Sequence, residues 1–117
     1  MKNFKNLKIW QKGFQIAINV IQLVKSFPIE ARFVLSSQIS IAAVSITSNI
    51  AGGSSRSSSK DKYRFIEISL GSSFELESQL LIAKSINYGA PDVVQEILKD
   101  IDEEQKMLMS FMKTLQL

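Results

Sequence analysis

The stretch Phe33-Val34-Leu35-Ser36-Ser37-Gln38-Ile39-Ser40-Ile41-Ala42-Ala43-Val44-Ser45-Ile46-Thr47-Ser48-Asn49-Ile50-Ala51-Gly52-Gly53-Ser54-Ser55 contains no charged residue. Leu35, Ile39, Ile46 and Ile50 recur at spacings that place them on one face of a helix. Phe33, Val34, Ile41 and Val44 fall on the other side, and serine, threonine and alanine fill the gaps. No apolar/polar alternation runs long enough for a strand. A helix that is apolar on two sides needs neighbours on both, so its reading sets the fold.

Punctuation on either side divides the rest of the chain. Phe27-Pro28 is a break, because proline biases its predecessor away from helix. Gly52-Gly53 and the serines after it form a second break, read as a flexible connector to Lys60. Gly89-Ala90-Pro91 is the third, with glycine past one helix end and proline in the first turn of the next. Ser58, with Asp61 three residues on, reads as an N-cap, and Asp92 and Glu96 suit the start of the last helix. Four helices are predicted, over roughly 5–26, 30–51, 59–88 and 91–115. Leu7, Trp10, Phe14, Ala17, Ile21 and Val24 form the expected core stripe of the first. Ile66, Leu70, Phe74 and Leu81 do so in the third, and Val94, Leu98, Ile101, Leu108, Met112 and Leu115 in the fourth, with Gln105 in one slot. The fold class is all-α, an up-down-up-down antiparallel four-helix bundle forming a single domain over 1–117.

Composition excludes several kinds of chemistry. There is no cysteine and no histidine, so there is no disulfide, no ordinary zinc site and no usual general base. No cofactor, metal or small-molecule substrate is expected. No signal-peptide pattern or membrane-spanning apolar block is read, and the cytoplasm is the expected compartment. The serine-rich loop lacks the Gly-Lys-Ser/Thr ending of a phosphate-binding loop. Glu75 and Glu77, two apart on a helix, point in nearly opposite directions and read as hydrogen-bond acceptors for a neighbouring helix or subunit. Gly71-Ser72-Ser73 sits mid-helix, where glycine costs about 1 kcal/mol relative to alanine. Close approach of another helix is the expected reason. Asn49 is expected to bond across helices, and Trp10 and the phenylalanines to pack in the core.

Charge has a direction along the predicted bundle. Lys2, Lys5, Lys8, Lys12, Arg56, Lys60, Lys62, Arg64, Lys106 and Lys113 fall at one end with only Asp61 and Glu67, a net +8. The other end is net −5, and the whole chain is +3. Lys5, Lys8, Lys12, Arg56, Lys60, Lys62 and Arg64 are the candidate nucleic-acid-binding residues.

Self-association is predicted from the width of the apolar surfaces. On the first helix, Ile9, Ile16, Val20 and Leu23 add a second stripe, so large apolar side chains cover about 200° of arc. Together with Phe33, Val34, Ile41 and Val44 they are the expected oligomer interface.

Two blocks carry a family resemblance. Gln38-Ile39-Ser40-Ile41-Ala42-Ala43-Val44-Ser45-Ile46-Thr47-Ser48-Asn49-Ile50-Ala51-Gly52-Gly53 resembles the signature of the 23S rRNA intervening-sequence protein family. Ile68-Ser69-Leu70-Gly71-Ser72-Ser73-Phe74-Glu75-Leu76-Glu77 is similar to its Gly-Ser plus Glu stretch. Phe27-Pro28 with Glu30, and Leu7 to Trp10, also match. Gln38, Asn49, Gly53, Gly71, Ser72 and Glu75 are the motif positions. The resemblance implies a bacterial four-helix bundle assembled as a ring-shaped homopentamer, with no catalytic activity. Some members are encoded within inserted segments of ribosomal RNA genes. Related proteins accompany the reverse transcriptases of diversity-generating retroelements, binding the enzyme and nucleic acid. Ser40 and Ile41 stand where the family usually carries arginine, and Gly52 where it usually carries glutamate. The function expected is a non-enzymatic oligomeric scaffold. The alternative is a nucleic-acid-binding accessory protein, a partner of a reverse transcriptase or ribonucleoprotein, that uses the basic bundle end on RNA or DNA.

Overall fold

Four long helices account for about three quarters of the computed structural model, which describes residues 3–115. They are α1 (Lys8–Val24), α2 (Ser37–Ser54), α3 (Ser59–Ser85) and α4 (Pro91–Leu115). A short 3₁₀ turn, Phe4–Asn6, precedes α1. Lys2, counted above at the basic end, lies outside the described residues.

The breaks fall where turn chemistry puts them. Ser58 is extended, and its hydroxyl accepts from the Asp61 amide at 3.1 Å, capping α3. At the other end of α3 the chain turns through Asn87 and Gly89, both in the left-handed region at φ 62° and 80°. A side chain at Gly89 would also strike Leu23, since a Cβ there would lie 2.8 Å from Leu23 Cδ1. The start of the second helix is less regular than expected. Pro28 is followed by a 3₁₀ turn, Ile29–Ala31, and a π-helical turn, Arg32–Ser36, before α2 proper. Its end lies beyond the expected one: α2 continues through Gly52 and Gly53, leaving only 55–58 as connector. Both glycines lie under the Phe65 ring of α3, and a Cβ on Gly53 would come within 2.9 Å of Phe65 Cβ.

Successive helices run in opposite senses and close a ring of four. Ser69 of α3 donates to the Ile46 carbonyl of α2 at 2.8 Å, and Ser45 and Ser72 share a hydrogen bond of 2.8 Å. Gln105 of α4 donates to Glu77 of α3 at 2.9 Å, the cross-helix role expected of that glutamate. Lys12 of α1 reaches Asp100 and Glu103 of α4. The bundle measures 45 × 23 × 20 Å.

One continuous core fills the centre, with Ile16, Val20, Ile39, Ile46, Ile50, Ile66, Leu76, Leu80, Ile101 and Leu108 shut off from solvent. Each such side chain contributes about 1.5–3 kcal/mol of burial free energy. Ser69, Ser72 and Ser73 are buried between α3 and its neighbours, small enough to let α2 and α3 approach closely. Gly71 is not the point of that approach: a Cβ there would meet nothing within 4 Å. The helical phase explains this, because Ser69 and Ser73 lie about 160° and Ser72 about 100° away from Gly71 around α3.

By length and composition alone, the helical run Ile29–Ser54 is apolar enough to cross a membrane, unlike the expectation from individual apolar stretches. Its inward residues are the Ile39, Ala43, Ile46 and Ile50 row of the bundle core.

Candidate interaction surface

The charge-free helix divides into two faces as its periodicity predicts. Ile39, Ile46 and Ile50 are fully buried, whereas Phe33 is 83% exposed, Val34 67%, Ile41 67% and Val44 42%. Arg32 lies over the Phe33 ring, 5.3 Å from its centroid, so the π-helical turn carries an apolar residue flanked by a cation. Between α2 and α3 the surface dips into a groove lined by Gln38, Ile41, Ser45, Ser72, Glu75 and Gln79. Ser45 is its polar centre: it bonds Ser72 and accepts from Asn49 at 2.9 Å. Asn49 also donates to the Ser45 carbonyl, so it bonds within its own helix and not across helices as expected. Glu75 opens onto this groove, and the buried Gln79 Oε1 has no hydrogen-bond partner within the chain. Of the motif positions, Gln38, Ser72 and Glu75 therefore meet in one groove, Asn49 reaches it through Ser45, and Gly53 and Gly71 lie outside it.

The first helix requires a correction. Ile9, Ile16, Val20 and Leu23, expected at the oligomer interface, are all buried in the bundle core. The stripe expected in the core faces outward in part: Phe14 is 45% and Ile21 40% exposed, and Trp10 is half-buried. Gly13 is the reason for this orientation. It lies in line with Ile9, Ile16 and Val20, and a Cβ there would come within 2.8 Å of Glu104 Oε2, 2.9 Å of Thr47 Cγ2 and 3.1 Å of Ile46 Cγ2. Only the glycine side of α1 can pack this closely on α2 and α4. The outward edge of α1 carries an aromatic ladder, with Phe4 edge-on to Trp10 at 5.2 Å and Trp10 stacked on Phe14 at 4.8 Å. On α3, Phe74 and Leu81, expected in the core, are half exposed.

Beneath the contact of α1 with α4 lies a residue that hydrophobic periodicity does not single out. Glu104 is fully buried, and neither carboxyl oxygen has a hydrogen-bond partner. Burial pushes its carboxyl up to about 8, against a smaller opposing pull from the Lys12 ammonium. The signal was present in the sequence: Val94, Ile97, Ile101, Glu104 and Leu108 make an unbroken core row, with glutamate in one slot.

The basic end is only partly free. Lys12 Nζ lies 3.1 Å from Asp100 and 2.6 Å from Glu103, and Lys106 lies 3.0 Å from Asp102. Two of the counted cations are thus paired with acids assigned to the opposite end. The Glu103 hydrogen bond holds the Lys12 ammonium above its ordinary value, and the same bond holds Glu103 below its own. Lys5, Lys8, Lys60 and Arg64 are exposed. Arg56 lies over the Phe65 ring at 4.7 Å from its centroid, and Lys62 donates to the Arg56 carbonyl. These two contacts fix the cations of the α2–α3 connector at one tip of the bundle.

The family description "23S rRNA-intervening sequence protein" matches residues 5–110. Among solved structures, the chain is similar to a protein with unknown function from the S23 ribosomal protein family of Bacteroides thetaiotaomicron. The TM-score is 0.81 at 26% identity, covering 90% of this chain and 98% of that one. Comparison with curated proteins gives no match.

Proposed function

Because the chain belongs to the 23S rRNA-intervening sequence protein family, we propose that it works as a non-catalytic cytoplasmic scaffold that assembles with copies of itself through the outward face of α2. The observation that carries this reading is the exposed row of Phe33 and Val34 in the Arg32–Ser36 turn with Ile41 and Val44 of α2, along a stretch that carries no charge from Phe33 to Ser55. An apolar surface of this kind on a soluble protein marks a partner. The aromatic edge of α1, with Phe14 and Ile21, supplies a second and different patch. Two unlike patches on one subunit favour head-to-tail contacts, which close into a ring when the rotation permits. Five subunits is the number the family resemblance favours. The lack of histidine and cysteine supports a non-catalytic role. So do the buried serine hydroxyls, since Ser69 is tied to the Ile46 carbonyl and Ser73 to that of Leu70. Ile41→Lys and Val44→Lys are expected to dissociate the assembly while leaving helix content, measured by circular dichroism, largely intact. Loss of helix content in either variant would place these side chains in the core and defeat the proposal.

A second reading is favoured by the fixed cations at the connector, where Arg56 and Lys62 are positioned beside the exposed Lys60 and Arg64. In this reading the scaffold also holds RNA or DNA, as the partner of a reverse transcriptase or ribonucleoprotein. Binding would be sequence-tolerant and would weaken steeply as salt rises. Replacing Lys60, Lys62 and Arg64 together with glutamate is expected to abolish binding at low salt in a filter or anisotropy titration. Unchanged binding would remove this reading and leave the scaffold.

A further inference from the structure

We propose that Glu104 is a proton-operated latch on the α1–α4 seam: as the neutral acid it lies in the core and lets α1 and α4 close, and as the carboxylate it drives the seam open. The geometry is a notch and its filling. Gly13 leaves room on α1, and the Glu104 carboxyl occupies that room, with Ile46 and Thr47 of α2 closing the third side. Both oxygens are buried without a hydrogen-bond partner, a placement far less costly for a neutral acid than for an anion.

Among the described residues, the Lys12 ammonium of α1 is the one charge that pulls on the Glu104 carboxyl, and it is already held by Asp100 and Glu103 of α4. The next pair along α4, Asp102 with Lys106, is exposed and satisfied within its own helix. No residue of α2 is charged. On α3, Glu77 is engaged by Gln105, the residue after Glu104. A carboxylate at Glu104 would thus compete with two other acids for one lysine from inside the core. Separation of α1 from α4 would relieve that competition by admitting water.

The direction of the pH effect follows from the proton balance. In the closed state the carboxyl titrates near 8, and once exposed it returns to its ordinary 4.5. Opening therefore releases one proton between those values. The opening equilibrium rises about tenfold per pH unit from about 4.5 to about 8, and is flat above.

Hydrogen exchange of the full-length protein, corrected for the intrinsic pH dependence of amide exchange, tests this directly. Between pH 6 and pH 8, α1 and α4 amides are expected to open about fiftyfold more, with α2 and α3 amides changing much less. In Glu104→Gln the α1 and α4 dependence should vanish. An equal slope in the variant, or equal loss of protection in all four helices, would overturn the latch. If Glu104→Gln does not fold, the carboxyl carbon of Glu104 in the unaltered protein can be followed by NMR from pH 4 to 10. A midpoint near 8 supports the latch, and one near the ordinary glutamate value overturns it.

Discussion

Replacing Ile46 with alanine is expected to lower the unfolding free energy by about 2–5 kcal/mol, the range for truncating a fully buried isoleucine. Ile46 has no solvent exposure, its Cγ2 lines the Gly13 notch, and its carbonyl accepts from Ser69. The side chain therefore borders α1 and its backbone borders α3, so neither wall of the resulting cavity can collapse freely. Ile41, five residues earlier on the same helix, supplies the contrast. Its side chain stands in solvent on the outward face, and Ile41→Ala should change subunit stability by less than about 0.5 kcal/mol. Urea midpoints for both, measured in a Val44→Lys background that is expected to lack subunit contacts, check the division of the helix into two faces. Equal costs at the two positions would refute it.

Gly13→Ala should destabilise the chain even though alanine is the better helix former by about 1 kcal/mol. The added methyl would meet the Glu104 carboxyl, the Thr47 methyl and Ile46 Cγ2 at 2.8–3.1 Å, so α1 must move away from both neighbours. Overpacking of this kind costs about 1–3 kcal/mol, so after the helix-propensity gain we expect a net loss of about 1 kcal/mol in urea denaturation. The loss should shrink in a Glu104→Ala background, where the nearest of the three contacts is gone. A coupling of about 0.5–3 kcal/mol in the double-mutant cycle is the expected signature. A Gly13→Ala protein more stable than its parent would mean that α1 does not pack this closely.

Most of the bundle is legible in the sequence because its breaks are chemical. Pro28, the Ser58 cap and the Gly89-Ala90-Pro91 turn each end or begin a helix through a backbone requirement. The two faces of α2 are legible because only one of them, the Ile39, Ile46 and Ile50 row, keeps a strict helical period over the full length. The phase of α1 is not legible from apolarity, since both stripes consist of large apolar residues. Gly13, in line with Ile9, Ile16 and Val20, marks the side that must approach its neighbours, and a small residue is easily passed over beside tryptophan and phenylalanine. Gly71 shows the converse: glycine in a helix need not mean a close contact within the subunit. Glu104 escaped because charged residues are assigned to surfaces by default, although its place in the Ile101 to Leu108 row contradicts that default. The pairing of Lys12 with Asp100 and Glu103 depends on the axial offset of two antiparallel helices, which no single-helix pattern contains.

We propose that the outward face of α2 is covered by another copy of the chain. Light scattering coupled to size exclusion at micromolar concentration measures this directly. A mass at a multiple of the 13.1 kDa subunit, five subunits in the proposed ring, is expected, and a mass of 13.1 kDa would rule out self-association through this face.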